Sequence, residues 1–195
     1  MATEIRLGAR ALCSDGACGE VRRAVLDPHA RTVTHLVIEH KHRPGSGRLV
    51  PVDLVDTPGA EIRLRCTLAE FDRLDPAEEV DIEQGDEGVG LVVGSAGSSM
   101  DVAPRTRTYV TDSVPPGEAE VARHQSVHAL DGEIGKVDGF VVNPDDHTVT
   151  HVLLQEGHLW GRKKVSIPVS AVTAMDEGIR LNLSKQQVAD LPSLD

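Results

Sequence analysis

Three cysteines, nine histidines and one tryptophan are the residues of this chain best able to do chemistry. Cys13 and Cys18 flank Ser14-Asp15-Gly16-Ala17, a turn that could bring the two thiols close together. In a reducing compartment such thiols are ordinarily structural, and a redox pair or half of a metal site is the sharper alternative. Among the histidines, His35, His40 and His42 cluster in the first half, and His151 and His158 in the second. His35 and His40 lie an odd number of residues apart, so a regular strand would point them to opposite faces and weaken a shared site. No paired Cys-x-x-Cys occurs and no His-x-x-x-His lies in a helical pattern, so no metal or other cofactor is expected. Neither a G-x-S-x-G elbow nor a phosphate-binding G-x-x-x-x-G-K-S/T loop occurs. No catalytic residue set emerges, and the chain reads as a non-enzyme.

The segment best suited to recognition is Glu156-Gly157-His158-Leu159-Trp160-Gly161-Arg162-Lys163-Lys164, with the only tryptophan and a dense run of basic side chains. Trp and Arg together on a loop are typical anchors of protein interfaces. His158, Trp160, Arg162, Lys163 and Lys164 are therefore the candidate partner-binding residues. The corresponding stretch of the first half, Lys41 to Arg48, is basic but has no aromatic.

An internal repeat supplies the elements that position these residues. Asp15-Gly16-Ala17-Cys18-Gly19-Glu20-Val21 matches Asp131-Gly132-Glu133-Ile134-Gly135-Lys136-Val137 at an offset of 116 residues. The same offset carries Pro28 onto Pro144 and Thr32-Val33-Thr34-His35 onto Thr148-Val149-Thr150-His151. After one inserted residue the offset becomes 117, taking Pro51 to Pro168 and Ile62-Arg63-Leu64 to Ile179-Arg180-Leu181. His35 and His151 thus share one repeat position and are expected to be structural, hydrogen-bonded residues on a strand.

Each copy has the signals of a β meander followed by one helix. In the second, Gly135 to Val142 and Thr148 to Gln155 form a hairpin around Asn143-Pro144-Asp145-Asp146. The returning strand has Val149 and Leu153 on one expected face and Val152 and Leu154 on the other, so it should be central or covered. Pro168 belongs where no ladder donor is needed. Capping boxes at Thr67 with Glu70, and at Ser184 with Gln187, keep the repeat register and mark a helix start in each copy. The fold expected is mainly β: two small β-barrels, at residues 1–80 and 118–195, each followed by a short α-helix. Residues 81–117 read as an acidic, Gly/Ser-rich linker, flexible over Gly85 to Ser99, with a strand near Arg105 to Thr111 that should join the second barrel.

Composition narrows the function classes. Aromatics make up 2% of the chain, so the core must be aliphatic. A net charge of −11 opposes binding to nucleic acid, which needs clustered Lys and Arg. No stretch approaches the roughly 20 apolar residues of a membrane span, and the start shows no basic region followed by an apolar one, so a soluble, cytoplasmic protein is expected.

The D-G-x-x-G-x-V turn and strand, the Pro-bearing turn, the T-V-T-H strand and the I/V-P-V segment, each present twice, resemble the PRC-barrel family. That family includes the cytoplasmic barrel of the photosynthetic reaction-centre H subunit and the C-terminal domain of the ribosome maturation factor. The resemblance covers roughly residues 5 to 75 and 120 to 192. It implies a β-barrel of about six strands that mediates protein contacts, and no catalytic set. The expected function is a protein-binding scaffold or adaptor that contacts a partner or a second copy of itself. A small-ligand or metal sensor using His35, Cys13 and Cys18 is one alternative, and a ribosome-associated maturation or assembly factor is another.

Overall fold

The computed structural model describes residues 3–40, 46–57, 61–84, 106–155, 165–175 and 178–191, and it is mainly β. In chain order the first half gives β1 (Thr3–Arg6), β2 (Arg10–Cys13), β3 (Gly16–Asp27), β4 (Thr32–Glu39), β5 (Arg48–Pro51), β6 (Val55–Thr57), β7 (Glu61–Leu64), α1 (Leu68–Phe71) and β8 (Glu78–Gln84). The second gives β9 (Thr106–Asp112), β10 (Ala119–Ala122), β11 (Ser126–Ala129), β12 (Gly132–Val142), β13 (Val149–Gln155), β14 (Val165–Pro168), β15 (Val172–Ala174), β16 (Ile179–Leu181) and α2 (Lys185–Ala189). Two curled, half-barrel-like sheets result, ordered β5-β4-β3-β2-β7-β6 and β14-β13-β12-β11-β16-β15. The sequence repeat is therefore a repeat of topology, including one parallel pair in each sheet, β2 with β7 and β11 with β16.

The first strand of each half does not join its own sheet. β1 pairs antiparallel with β12, Ile5 opposite Phe140, while β10 pairs antiparallel with β3, Val121 opposite Ala24. Both pairings obey the 116-residue offset, so the exchange is reciprocal about a local two-fold relation. The connections from β1 to β2 and from β10 to β11 are three residues long, with left-handed backbone at Gly8 (φ 93°) and His124 (φ 66°). Past each hinge the ladder goes on: Leu7 N–H donates to Asp138 O at 2.8 Å, and Arg123 N–H to Arg22 O at 3.1 Å. The turns of the two long hairpins meet at the two-fold, where Thr32 bridges Thr148. There Val33 N–H donates to His147 O at 3.0 Å and Val149 N–H to Arg31 O at 2.7 Å. Arg31 and His147 are both left-handed, at φ 56° and 58°, which turns their carbonyls toward the opposite hairpin.

Exchange makes one core of two sheets. A single apolar cluster contains Ile5 and Val121, only 1% and 0% exposed, with Leu36, Val50 and Ile62 from one sheet and Phe140, Val152 and Ile167 from the other. Among the described residues the core is mostly aliphatic, with Phe71 and Phe140, the chain's two phenylalanines, fully buried, and Cys13, Cys18, Cys66 and Met175 packed into it. A smaller cluster of Val25, Val37, Leu49 and Ala77 lies apart from it, with Val114 packed against it.

The central strands are covered on both faces, as expected, but the facing of their residues differs from simple alternation. Val149 joins the main cluster together with Val152 and Leu154, while Leu153 stays outside it. A register shift between Val141 and Val142 on β12 explains this, since a β-bulge breaks the two-residue period of facing. The same shift on β3, between Val25 and Leu26, gives Val33, Leu36 and Ile38 to one cluster and Val37 to the other. Pro51 and Pro168 end the edge strands β5 and β14, where a missing donor costs nothing. In the linker, the strand expected near 105–111 forms as β9, but it pairs with β8 and not with the second sheet. Residues 85–99 lie outside the described residues.

Both capping boxes are complete, and each helix start has a further partner. Asp15 Oδ1 accepts from Leu68 N–H and Asp131 Oδ1 from Lys185 N–H, both at 2.8 Å, so the aspartate of each D-G turn ties a helix to the β2–β3 or β11–β12 hairpin. The second glycine of the motif is needed for approach: a Cβ on Gly19 would lie 2.1 Å from the carbonyl oxygen of Glu39, and one on Gly135 would lie 3.1 Å from that of Gln155.

Two outcomes follow from this architecture. If a protease site is inserted between Gly94 and Ser95 and cut under native conditions, the two fragments should elute together at the volume of the uncut chain. Fragments that separate on gel filtration would show that the exchanged strands do not hold the halves together. The second concerns acid. Hydrogen bonds from the Thr67 backbone and hydroxyl hold the Glu70 carboxyl below its ordinary pKa of 4.5, so its contribution is full above that pH and is lost as pH falls through the lowered value. Gln187 makes the same cap without titrating. Glu70→Gln should therefore leave the urea midpoint at pH 6 nearly unchanged and reduce its fall toward pH 3, whereas an unaltered acid slope would remove the cap from the account.

Candidate functional site

The recognition segment with His158, Trp160, Arg162, Lys163 and Lys164 lies outside the described residues, as does His42. The other candidates are placed. His35 and His151 occupy equivalent half-buried positions on β4 and β13, each with Nδ1 3.1 Å from the hydroxyl of the preceding threonine. In the first half the Thr34 hydroxyl lies 2.6 Å from Glu118 Oε2 and 3.2 Å from Val25 O. Thr150, the equivalent residue, makes the matching contact to Val141 O at 3.1 Å. His40 lies just past β4, edge-on to the Phe71 ring at 5.9 Å and 3.8 Å from Asp72 Oδ1, and makes no common site with His35. No group of three or more His, Cys, Asp or Glu among the described residues is arranged to hold a metal ion.

Cys13 and Cys18 do come together, and Cys66 joins them. All three are free and buried, with Cys13 Sγ 3.9 Å from Cys66 Sγ and hydrogen-bonded to Cys18. Burial pushes the Cys13 thiol well above its ordinary pKa, with Cys18 and then Cys66 adding to the shift, and burial raises Cys18 too. The local sequence of the β2–β3 hairpin pointed to the first pair only. Cys66 arrives from beyond β7, held by Ser14 N–H donating to its carbonyl at 2.9 Å.

A charged cluster that spacing alone did not suggest lies where β10 crosses β3. Arg23 Nη2 reaches Glu78 Oε1 at 2.7 Å and Nη1 reaches Glu120 Oε1 at 2.9 Å, with Glu39 Oε1 at 3.9 Å. Arg23 and Glu39 are 15% exposed, and Glu78 and Glu120 about 20%, so the pairs are partly shielded from water. Burial alone would lower the pKa of the guanidinium, but Glu120 and Glu78 outweigh it and hold it above the ordinary value. The network ties β3, β4, β8 and the exchanged strand β10 together. Its one sequence signal was an asymmetry in the repeat, because the residue equivalent to Arg23 is Gly139, where a Cβ would fall 2.3 Å from Ile5 O. In the second sheet the incoming strand leaves no room for a side chain there.

A cleft of about 280 Å³ opens between the halves. Its floor is Ile5, Val52, Val55 and Val142, and its rim carries Asp53, Asp56, Arg65 and His147. Arg65 Nε pairs with Asp56 Oδ1 at 3.2 Å, and both side chains are exposed. Such a lining, an apolar floor with charge at the mouth, can admit a small amphipathic group.

Removing Arg23 tests the latch. Arg23→Ala should destabilise the chain by roughly 2–3 kcal/mol in urea unfolding, because the partly buried carboxylates of Glu78 and Glu120 lose a close counter-charge, and Arg23→Lys should restore part of the loss. A change of under about 0.5 kcal/mol, the usual range for exposed positions, would mean the network adds nothing. The chain matches no protein-family model and no curated protein sequence.

Proposed function

We propose that the chain is a non-enzymatic, cytoplasmic protein-binding scaffold built from two PRC-type β-barrel modules, each closed by its short helix. The observation that carries this reading is the strand exchange: each sheet accepts a strand from outside its own repeat. Strand addition is a general mode of protein recognition, in which main-chain hydrogen bonds supply affinity and alternate side chains supply selectivity. The duplicated frame with unlike surfaces fits an adaptor that offers two different contacts. Within that reading the loop bearing His158, Trp160, Arg162, Lys163 and Lys164 is the contact of the second module, with an aromatic anchor and basic neighbours on an otherwise acidic chain. A protein partner or a second copy of the chain suits this arrangement better than nucleic acid, which a net charge of −11 repels. Among the described residues no helix is long and apolar enough to cross a membrane. The cleft between the halves favours a second reading, a small-ligand sensor.

Affinity purification from native lysate, with soluble and membrane fractions kept apart, separates the two. Wild-type protein should enrich a partner that the folded double variant Trp160→Ala, Arg162→Ala fails to retain. Equal recovery by both would remove that loop from the interface. If neither retains a partner and a small-molecule screen raises the melting temperature, the sensor reading takes over.

A further inference from the structure

The chain has three cysteines, and all three meet at one place. Their repeat equivalents are Ala129, Ile134 and Leu183, which pack in the second half as ordinary apolar residues. The fold therefore does not require thiols at these positions, and the first half carries cysteine at three neighbouring positions that are aliphatic in the second. Within the trio Cys13 contacts both other thiols, and its contact with Cys66 is the one that joins the hairpin to α1. Cys18 is 0% exposed, whereas Cys13 and Cys66 are 7% and 5% exposed and their sulfurs are 3.9 Å apart. Cys66 lies between β7 and α1, directly before the Thr67 cap of a helix only four residues long. Both sulfurs are buried, so a small oxidant reaches the pair only on local opening of this short helix against its capping box and the Asp15 bond.

We infer that Cys13 and Cys66 are an oxidation site at which a peroxide forms a disulfide that staples the start of α1 to the β2–β3 hairpin. While the site is open, the burial that raises the Cys13 thiol is relieved, and one thiol ionises and reduces hydrogen peroxide as the thiolate, becoming a sulfenic acid and releasing water. The second thiol attacks that sulfur, its proton leaves with the hydroxyl as a second water, and the S–S bond forms. Two thiols and one peroxide thus give one disulfide and two waters. The bond closes a loop between residues 53 apart, which restricts the unfolded chain strongly. It acts on the first half alone, because the second has no thiol at these positions. The inference stands on the cysteine positions and is independent of the scaffold reading.

The test uses the full chain, treated with hydrogen peroxide at neutral pH, alkylated under denaturing conditions without reductant, and digested for mass spectrometry. A Cys13–Cys66 linked peptide with Cys18 alkylated is expected, together with a melting temperature raised by roughly 5–10 °C that dithiothreitol reverses. Cys13→Ala and Cys66→Leu, which install the residues of the second half, should each abolish both signals, while Cys18→Ile should keep them. If all three thiols are alkylated after treatment, if the bond joins Cys18, if oxidation stops at a single-residue sulfinic acid, or if the bond lowers the melting temperature, the inference is overturned.

Discussion

The reciprocal exchange of β1 and β10 is the constraint on which the rest of the structure depends. Each exchanged strand supplies only four residues, yet Ile5 and Val121 are almost completely buried, and burying such a side chain contributes roughly 1.5–3 kcal/mol. The hydrogen bonds of Leu7 and Arg123 and the Thr32–Thr148 bridge extend the contact along the whole two-fold seam. Without the partner half, each sheet would expose both an open strand edge and part of the shared core. A chain this poor in aromatics has few large side chains with which to close a small core, and pooling two sheets around one aliphatic interior raises the buried fraction.

Duplication then leaves each half free to differ wherever the shared frame does not demand identity. The contrast between Arg23 and Gly139 shows how close that freedom comes to the seam. In the second sheet β1 approaches β12 so closely that only glycine fits, whereas in the first sheet Arg23 reaches Glu78 and Glu120. One crossing is held by close backbone approach and the other by charge. The cysteines follow the same rule in the interior, three thiols in one half against Ala129, Ile134 and Leu183 in the other.

Much of this was legible in the sequence because it is local. The turns, the Thr-Val-Thr-His strands and the capping boxes are each specified within a few residues, and the repeat confirmed each by a second instance. What escaped reading is what depends on distant partners. Four-residue strands such as Thr3–Arg6 and Ala119–Ala122 show which residues pair, but their pattern is the same whether the acceptor is their own sheet or the other. The bulges that regroup Val149 with Val152 and Leu154 leave no mark in composition, so a strict two-residue period misassigned Leu153 and Val149 to one face. Asp15 and Asp131 read as turn residues and serve also as acceptors for the helices some 53 residues onward. Cys66 was invisible as a partner of Cys13 for the same reason.

These non-local contacts converge on the β2–β3 hairpin. Asp15 holds the first turn of α1, Ser14 holds the carbonyl of Cys66, and Gly19 lets the hairpin's return strand press against β4. Further along the same strand, Arg23 grips β10 and β8, and Leu26 and Asp27 lead into the turn that meets the other half. β3 is thus the element through which a change at the α1 end is connected to the exchanged strand, a twelve-residue strand whose ladder shifts register after Val21 and after Val25. Its counterpart β12 is one residue shorter and has Gly139 in place of the arginine and no thiols at its start, so it makes the same connection without the Arg23 network or sulfur. The halves share one framework of main-chain pairing, to which the first adds the Arg23 network and the three thiols.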